Sequence, residues 1–441
     1  MVTETSMPKQ HLANHLILLV GENPLPNAVA ASCMVVPDGQ ITLLHTGATE
    51  EIANNLRLWI ENNACCARVN YRKIDGSDPN SIYQVTQTIL KRNPEDVVGL
   101  NYTGGTKTMA VHAFRAVDEW TEEYHATGIF SYLDARSLEM VISRSESGYI
   151  VQTERVKVGR SIRIQLNQMI ALRGWQLLST FEDPIFPHTA AALMRLALDD
   201  KTWRQWIETR KAFLSAFRDP DPNKGGKFLP ENELSGRLMF EKADTFPEPL
   251  RQALKEDGLD LESCTVHQAA EKAHGSSLPR VKTPHQDVLK FFDSFWLESY
   301  CLSQLQAFVE RGELDSAIRN VVVKDPQFEI DVTATRGYQL FAMSCTTIAR
   351  PDKEDKDDNN DKGKLKQKLF EAYVRSRQLG GDEARVMLVT LSNSPAVVEA
   401  EMSQFMGAGG LVGERHVKVF GRQHLEKLGE HIREWILEQS N

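Results

Sequence analysis

The chain has 441 residues, 41% of them hydrophobic and 25% charged, enough to bury two or three cores, which excludes a disulfide-stapled miniprotein and a disordered tail. Its 51 Lys+Arg against 60 Asp+Glu leave a formal charge of -9, so any nucleic acid has to be met by a local basic surface. The cysteines Cys33, Cys65, Cys66, Cys264, Cys301 and Cys345 form no CxxC pair and no Cys/His ladder of zinc spacing, which predicts a reduced, cytoplasmic protein without structural zinc.

The N-terminal stretch MVTETSMPKQHLANH lacks the apolar core of a signal peptide. No apolar run approaches the roughly 18 residues that span a bilayer, so no membrane partner is expected. LILLV, Leu16 to Val20, is a short continuous apolar run that suggests a strand buried on both faces of a parallel sheet. Further strands are predicted at Gln40 to Leu44, Ala67 to Tyr71, Val97 to Leu100, Gly128 to Leu133 and Glu139 to Ser143. Helical periods lie around Glu50 to Asn62, Pro79 to Arg92 and Thr106 to Thr121. This alternation predicts a doubly wound α/β domain over residues 1–158.

Residues 159–284 read as a helical connector, with helical segments Leu166 to Leu178 and Thr189 to Leu198 and a solvated loop, DPDPNKGGKFLPEN, from Asp219. A second α/β pattern fills 285–441. It comprises a long helix to about Glu310, strands Ile318 to Val323, Phe328 to Ala334 and Gln339 to Thr346, a helix Lys364 to Leu379, a strand Arg385 to Leu391 and a closing helix. The mixed-charge run RPDKEDKDDNNDKGK before the Lys364 helix is expected to be a solvated loop. Trp175, Trp203 and Trp206 have the spacing of packing residues.

Two loops of the first domain carry ligand chemistry. After the strand ending at Leu100 comes Asn101-Tyr102-Thr103-Gly104-Gly105-Thr106-Lys107-Thr108 and then an apolar helix. Paired glycines let backbone amides approach a ligand, a helix N-terminus favours an anion, and Lys107 adds positive charge. The pattern is neither a Walker loop nor the GxGxxG fingerprint. Its bland alternative is a tight turn with Thr106 as N-cap. Gly21 to Asn27 forms a second polar loop at the same carboxyl edge of the sheet, where open α/β folds bind ligands.

NYTGGTKTM and the Asn-Pro-x-Pro-Asn loop together resemble the CARF (CRISPR-associated Rossmann fold) domains that sense cyclic oligoadenylate. The resemblance covers about the first third of the chain. It implies a homodimer holding one cyclic ligand on its twofold axis, a cyclic tetra-adenylate judging by the family. Carried over by position, the contacts are Asn23, Pro26, Asn27, Thr103, Gly104, Gly105, Thr106, Lys107 and Thr108, with His45 and Thr46 as further candidates at the end of the second strand.

In the last domain Glu298 lies within an apolar helical stripe of Phe292, Phe295, Leu302 and Leu305, a costly place for a carboxylate unless a positive group meets it. Along Phe328 to Ala334, alternation points Phe328, Ile330 and Val332 one way and Glu329 and Asp331 the other. Two acids on one strand face can hold a divalent cation. WLESY, FEIDV, MSC and the downstream LGG resemble the restriction-endonuclease-like PD-(D/E)xK domain of effectors that join it to a CARF domain. That resemblance implies a nuclease with Mg²⁺ or Mn²⁺ on Asp331 and Glu298, and a nucleic acid substrate.

The Glu-x-Lys of that family is replaced here by Ser344-Cys345-Thr346. Glu329 or Glu298 is then expected to complete the acids, and Lys364, Lys366 or Lys368 to stand in for the lysine, with Lys366 at the centre of that segment. A gated binding protein with a degenerate nuclease fold is the alternative. A first domain that degrades its own ligand through Thr106 and Lys107, and a nucleotide-binding protein outside CRISPR biology, complete the readings.

Overall fold

A computed structural model describes residues 7–64, 68–90, 97–221, 226–241, 243–275, 278, 281–347, 358–407 and 416–438; the side chains of 358–362, 364, 402–407 and 438 lie outside that description. The predicted strand start at Ala67, the end of the Pro79 to Arg92 helix, Cys65 and Cys66 also lie outside it. No helix among the described residues is long and apolar enough to cross a membrane.

Seven strands make the first sheet: β1 (Ala13–Leu19), β2 (Val35–His45), β3 (Arg68–Lys73), β4 (Val98–Asn101), β5 (Thr127–Asp134), β6 (Glu139–Glu146) and β7 (Tyr149–Lys157). Their order is β3-β2-β1-β4-β5-β6-β7. The first five are parallel, and β6 and β7 close the edge as antiparallel neighbours. The crossovers are α1 (Leu25–Cys33), α2 (Glu50–Asn63), α3 (Pro79–Leu90) and α4 (Lys107–Glu123). Alternate residues of β1 face opposite ways, as a doubly covered sheet demands: Ile17 and Leu19 join the cluster under α3 and α4, and Leu16 and Leu18 join the cluster under α1 and α2.

Gly21 to Asn27 is not all loop. It turns into α1 at Leu25, with Pro26 in the first turn, where proline loses no hydrogen bond. The predicted helix over 166–178 is also divided. It becomes α5 (Leu166–Leu172), then a turn at Gly174, then β8 (Gln176–Phe181), which pairs with the second sheet.

That sheet has the order β13-β12-β11-β10-β9-β8. It comprises β9 (Ser316–Lys324), β10 (Phe328–Arg336), β11 (Gln339–Thr346), β12 (Arg385–Thr390) and β13 (Val417–Phe420). β8 to β11 run antiparallel, and β11, β12 and β13 run parallel. The helical segment between contains α6 (Pro187–Ala197), α7 (Asp200–Ser215), α8 (Glu231–Leu234), α9 (Glu248–Glu256) and α10 (Val266–His274). The long helix expected near 286–310 is α11 (Pro284–Lys290), one π-helical turn over Phe291–Phe295, and α12 (Trp296–Glu310). α13 (Asp358–Gly380) begins inside the mixed-charge run, six residues before the predicted start; α14 (Pro395–Gly407) and α15 (Leu428–Glu438) follow.

One face of the second sheet packs against α6, α7 and α12, with Trp203 and Trp206 buried there. The other face, through Val321, Val323, Ile330, Leu340 and Ala342, shares one apolar cluster with β1, α1 and α2 of the first sheet. Trp175 packs edge-on against Phe328 within this shared cluster, at 5.7 Å.

Candidate functional site

The parallel strands β1 to β4 all deliver their following loops to one edge. A Cβ on Gly21 would lie 2.7 Å from the Gly105 amide nitrogen, so the first and fourth loops touch backbone to backbone. A Cβ on Gly104 would run into the Leu19 carbonyl, and Gly105 sits at φ +74°, where L side chains are strained. These two positions require glycine for packing as well as for any ligand. Thr106 is the N-cap of α4, its hydroxyl accepting the Met109 N–H at 3.2 Å. The turn-and-cap reading is therefore correct as far as it goes. It leaves Gly105, Thr106 and Lys107 exposed, with Thr108 half-buried in the first helical turn. Lys107 makes no ion pair among the described residues, and its charge stands free at a helix N-terminus.

Thr46 belongs to this edge as well. Its methyl would lie 2.6 Å from a Cβ on Gly76, and the Thr106 hydroxyl is 3.5 Å from the Gly76 carbonyl. Gly76, in the loop after β3, went unnoticed because DGSDPN reads as an ordinary turn. Other predicted contacts have structural places. Thr103 accepts the Leu133 N–H at 2.7 Å and is half-buried. Pro26 and Asn27 are buried in α1, against the expectation of direct ligand contact. The Asn27 amide donates to the Leu19 carbonyl at 3.0 Å, tying the end of β1 to the helix, and its Oδ1, directed toward Gly104, has no hydrogen-bond partner among the described residues. His45 is buried, its Nδ1 3.0 Å from the Thr46 carbonyl.

Asn23 faces the other half of the molecule. Its Oδ1 accepts from Leu25 N–H at 3.2 Å and from Arg173 Nη2 at 2.9 Å, while Arg173 Nη1 donates to the Glu22 carbonyl at 2.6 Å. The Asn23 amide also rests on Gly381, at φ +68° in the turn before β12.

The second cluster lies where β10 and β11 part. Their ladder runs from Arg336↔Gln339 to Val332↔Met343 and stops there. Next along the strand, Asp331 Oδ2 accepts the Cys345 N–H at 2.7 Å and the Ser344 hydroxyl at 3.1 Å, so a carboxylate takes the place of a backbone partner. The simple alternation expected across 328–334 does not hold. Phe328 and Ile330 pack into the shared cluster, whereas Val332 and Ala334 pack on the opposite face. The strand changes face at Asp331, across from Asn320 at φ +52°. This break puts Asp331 at the rim of both faces.

Glu298, in the first turn of α12, is buried. Burial and the Asp331 and Glu329 carboxylates hold it well above the ordinary carboxylate range, against the opposing pull of Arg319 and Lys368. Glu329 is exposed, and partial desolvation and Asp331 raise it too. Asp331 is raised by burial and drawn back by Cys345 N–H, Lys368 and Ser344. Arg319, buried on β9, is lowered to about 10 by burial while Glu298, Asp287 and Asp183 favour its charge. It was missed in the sequence, where an arginine in a valine-rich strand carries no motif.

Lys366 pairs with Glu401 at 3.0 Å, so the lysine acting on these carboxylates is Lys368, two residues on. Lys364 lies outside the described side chains. Cys345 is buried and its thiol is pushed well up by desolvation and Cys301, which removes it as a nucleophile.

A divalent cation fits this donor set. The described residues contain no group of three His, Cys, Asp or Glu arranged for a metal. Asp331, itself raised by burial, and Glu298, raised by burial and by Asp331, nonetheless offer the one or two carboxylates by which Mg²⁺ is commonly held while keeping several waters.

No protein-family model and no curated protein sequence matches the chain. Solved structures do. Can2 from Sulfobacillus thermosulfidooxidans, solved in complex with cyclic tetra-adenylate, aligns at a TM-score of 0.58 with 14% identity, covering 97% of both chains. The protein VC1899 from Vibrio cholerae aligns at 0.59 with 15% identity, covering 96% of this chain and 98% of its own. A type III CRISPR defence DNA nuclease activated by cyclic oligoadenylate covers 88% of this chain with 16% identity and 47% of its own; its TM-score of 0.45 adds nothing to the fold assignment. The chain thus has the mixed α/β, two-sheet fold of Can2 and VC1899 along nearly its whole length.

Proposed function

We propose that the chain is a cyclic-oligoadenylate-gated effector of type III CRISPR defence. A Rossmann-like CARF domain over residues 1–158 binds the ligand, cyclic tetra-adenylate first among candidates, in a cytoplasmic homodimer. A restriction-endonuclease-like PD-(D/E)xK domain over 285–441, completed by β8 from the connector, hydrolyses phosphodiesters of DNA or RNA. The observation that carries this reading is that the charges of Asp331, beside the parted end of β10 and β11, and of Lys368 on α13 both bear on buried Glu298 of α12.

At the sensing edge, Gly105, Thr106 and Lys107 offer backbone donors, a hydroxyl and a positive charge to phosphates, and Thr46 lines the neighbouring loop. Asn27 and Pro26 shape that edge from beneath. In the second cluster Asp331 and Glu298 would hold Mg²⁺ or Mn²⁺, whose chemistry is to acidify water and stabilise charge on the phosphoryl oxygens. Ser344 and the Cys345 N–H orient the Asp331 carboxylate. Lys368 supplies the positive charge that opposes the build-up of negative charge on phosphate, the part that Glu-x-Lys plays in the family. Glu329, exposed beside Asp331, is placed to accept a proton from attacking water.

A gated binding protein is the second reading. It is favoured by Ser344-Cys345-Thr346 at the position of Glu-x-Lys and by the lack of a three-residue metal group among the described residues. Cleavage of plasmid, single-stranded DNA and RNA with Mn²⁺ or Mg²⁺, with and without cyclic tetra-adenylate, separates the two. Cutting that requires the ligand and disappears in Asp331→Ala supports the nuclease. Ligand binding with no cutting of any substrate assigns the binding protein.

A further inference from the structure

A polar cleft of about 380 Å³ opens between β3 and α3, away from the loops of the sensing edge. Its floor is one face of three parallel strands, where the pairings His15↔Gln40, Gln40↔Arg68 and Thr42↔Asn70 set His15, Gln40, Thr42, Arg68 and Asn70 side by side, with Arg72 next on β3. Val85 and Ile89 of α3, four residues apart, form its wall.

A half-covered sheet face ordinarily carries apolar residues. This one does not, because the cluster beneath α3 and α4 draws on β1, β2, β4 and β5 and takes no residue from β3.

The chemistry of the lining is one-sided. Arg68 and Arg72 are both exposed, and no carboxylate lines the cleft among the described residues. Arg72 Nη1 donates to the Tyr71 carbonyl at 2.9 Å, which steadies its guanidinium, and Arg68 makes no ion pair among the described residues. Deeper in, His15 and Thr42 are buried and linked Nε2 to Oγ1 at 2.8 Å. Desolvation lowers His15 to about 4, so at neutral pH the floor is a neutral hydrogen-bonding surface beneath two positive charges.

We propose that this cleft binds a phosphate-bearing nucleotide, with Arg68 and Arg72 on the phosphate and the Gln40 and Asn70 amides on the edge of the base. Planar guanidinium groups suit phosphate oxygens in a bidentate manner, and side-chain amides read donor and acceptor pairs on bases. The site is separate from the sensing loops and does not depend on the function proposed above.

The test is calorimetric titration of the full chain with AMP, inorganic phosphate and a 5′-phosphorylated oligonucleotide, each with and without cyclic tetra-adenylate. AMP is expected to bind, and Arg68→Ala with Arg72→Ala to weaken it at least about tenfold, as loss of charge-assisted hydrogen bonds predicts. Arg57→Ala, on α2 and outside the lining of the cleft, leaves binding unchanged. Both cleft arginines are exposed, so their loss does not threaten folding, which a melting curve checks. Tighter binding of the oligonucleotide, lost with the same arginines, identifies a strand end as the source of the phosphate. Absence of AMP binding up to about 5 mM, beyond the weak end of useful affinity, overturns the proposal. So does undiminished binding in the double variant, or phosphate binding as tightly as AMP.

Discussion

Glu298 holds a carboxyl group in an apolar helix face beside two other acids, and its folded state therefore prefers the proton. In the unfolded chain the same group ionises near pH 4.3. A pKa raised on folding means that the native state binds more protons than the unfolded one between the two values. The associated stability is full below about pH 4.3 and is lost as pH rises through the folded value. Glu298→Gln, neutral at every pH, is expected to melt higher than the parent at pH 8 without divalent cations, with the advantage shrinking toward pH 4. A cation bound to the native state acts oppositely, since it favours the ionised carboxylate. Mn²⁺ should raise the melting temperature of the parent protein and leave Glu298→Gln nearly unmoved. The lysines make a sharper pair. Lys368→Ala is expected to lower cleavage by about a hundredfold or more, in the range of single electrostatic stabilisers. Lys366→Ala, which removes an exposed pair with Glu401, should cut at the parent rate in the same gel assay.

At the scale of elements, the edge proposed to sense the ligand depends on close backbone approach. Gly104→Ala forces a methyl against the Leu19 carbonyl, so the loop has to move off β1. Cyclic tetra-adenylate affinity should fall by at least about tenfold while the helices keep their circular dichroism. The parallel strands and their glycine turn were legible because a strand buried on both faces has to be continuously apolar, as LILLV is. Other elements were hidden for equally physical reasons. QLLSTF looks like a continuation of the preceding helix, since a short apolar run fits either period, and only pairing with β9 makes it a strand. α1 begins within a Pro-Leu-Pro sequence that reads as a loop because prolines punctuate, yet the first helical turn accepts them. β7 carries Tyr149, Ile150 and Val151 exposed on the sheet edge, without the alternation that marks a half-buried strand. Of the second cluster, the acids were legible in FEIDV and WLESY. Lys368 emerged over Lys366 only from the phase of α13, and the change of face at Asp331 runs against the period-two rule itself.

Across the whole molecule, the contact of Asn23 with Arg173 and Gly381 joins the loop after β1 to the turn that starts β12. Gly381→Ala places a methyl in the space of the Asn23 amide and is strained at φ +68°. Cyclic tetra-adenylate is then expected to bind nearly as well but to lose its effect on cleavage, read as the ratio of rates with and without ligand. If that ratio survives, coupling runs elsewhere, because linkage requires differential contacts with the ligand-bound state.

The apolar cluster shared between the two sheets has a consequence for modularity. Ile330, Leu340 and Ala342 of one sheet and Leu16, Ala28 and Leu56 of the other half belong to the same dry interior. Cutting the chain between them would leave two sticky, half-built pieces rather than a portable sensor and a portable cutter. Scanning calorimetry of the intact chain should accordingly show both halves melting together, and swapping either half for a foreign one would succeed only if the seam between them were redesigned as a core.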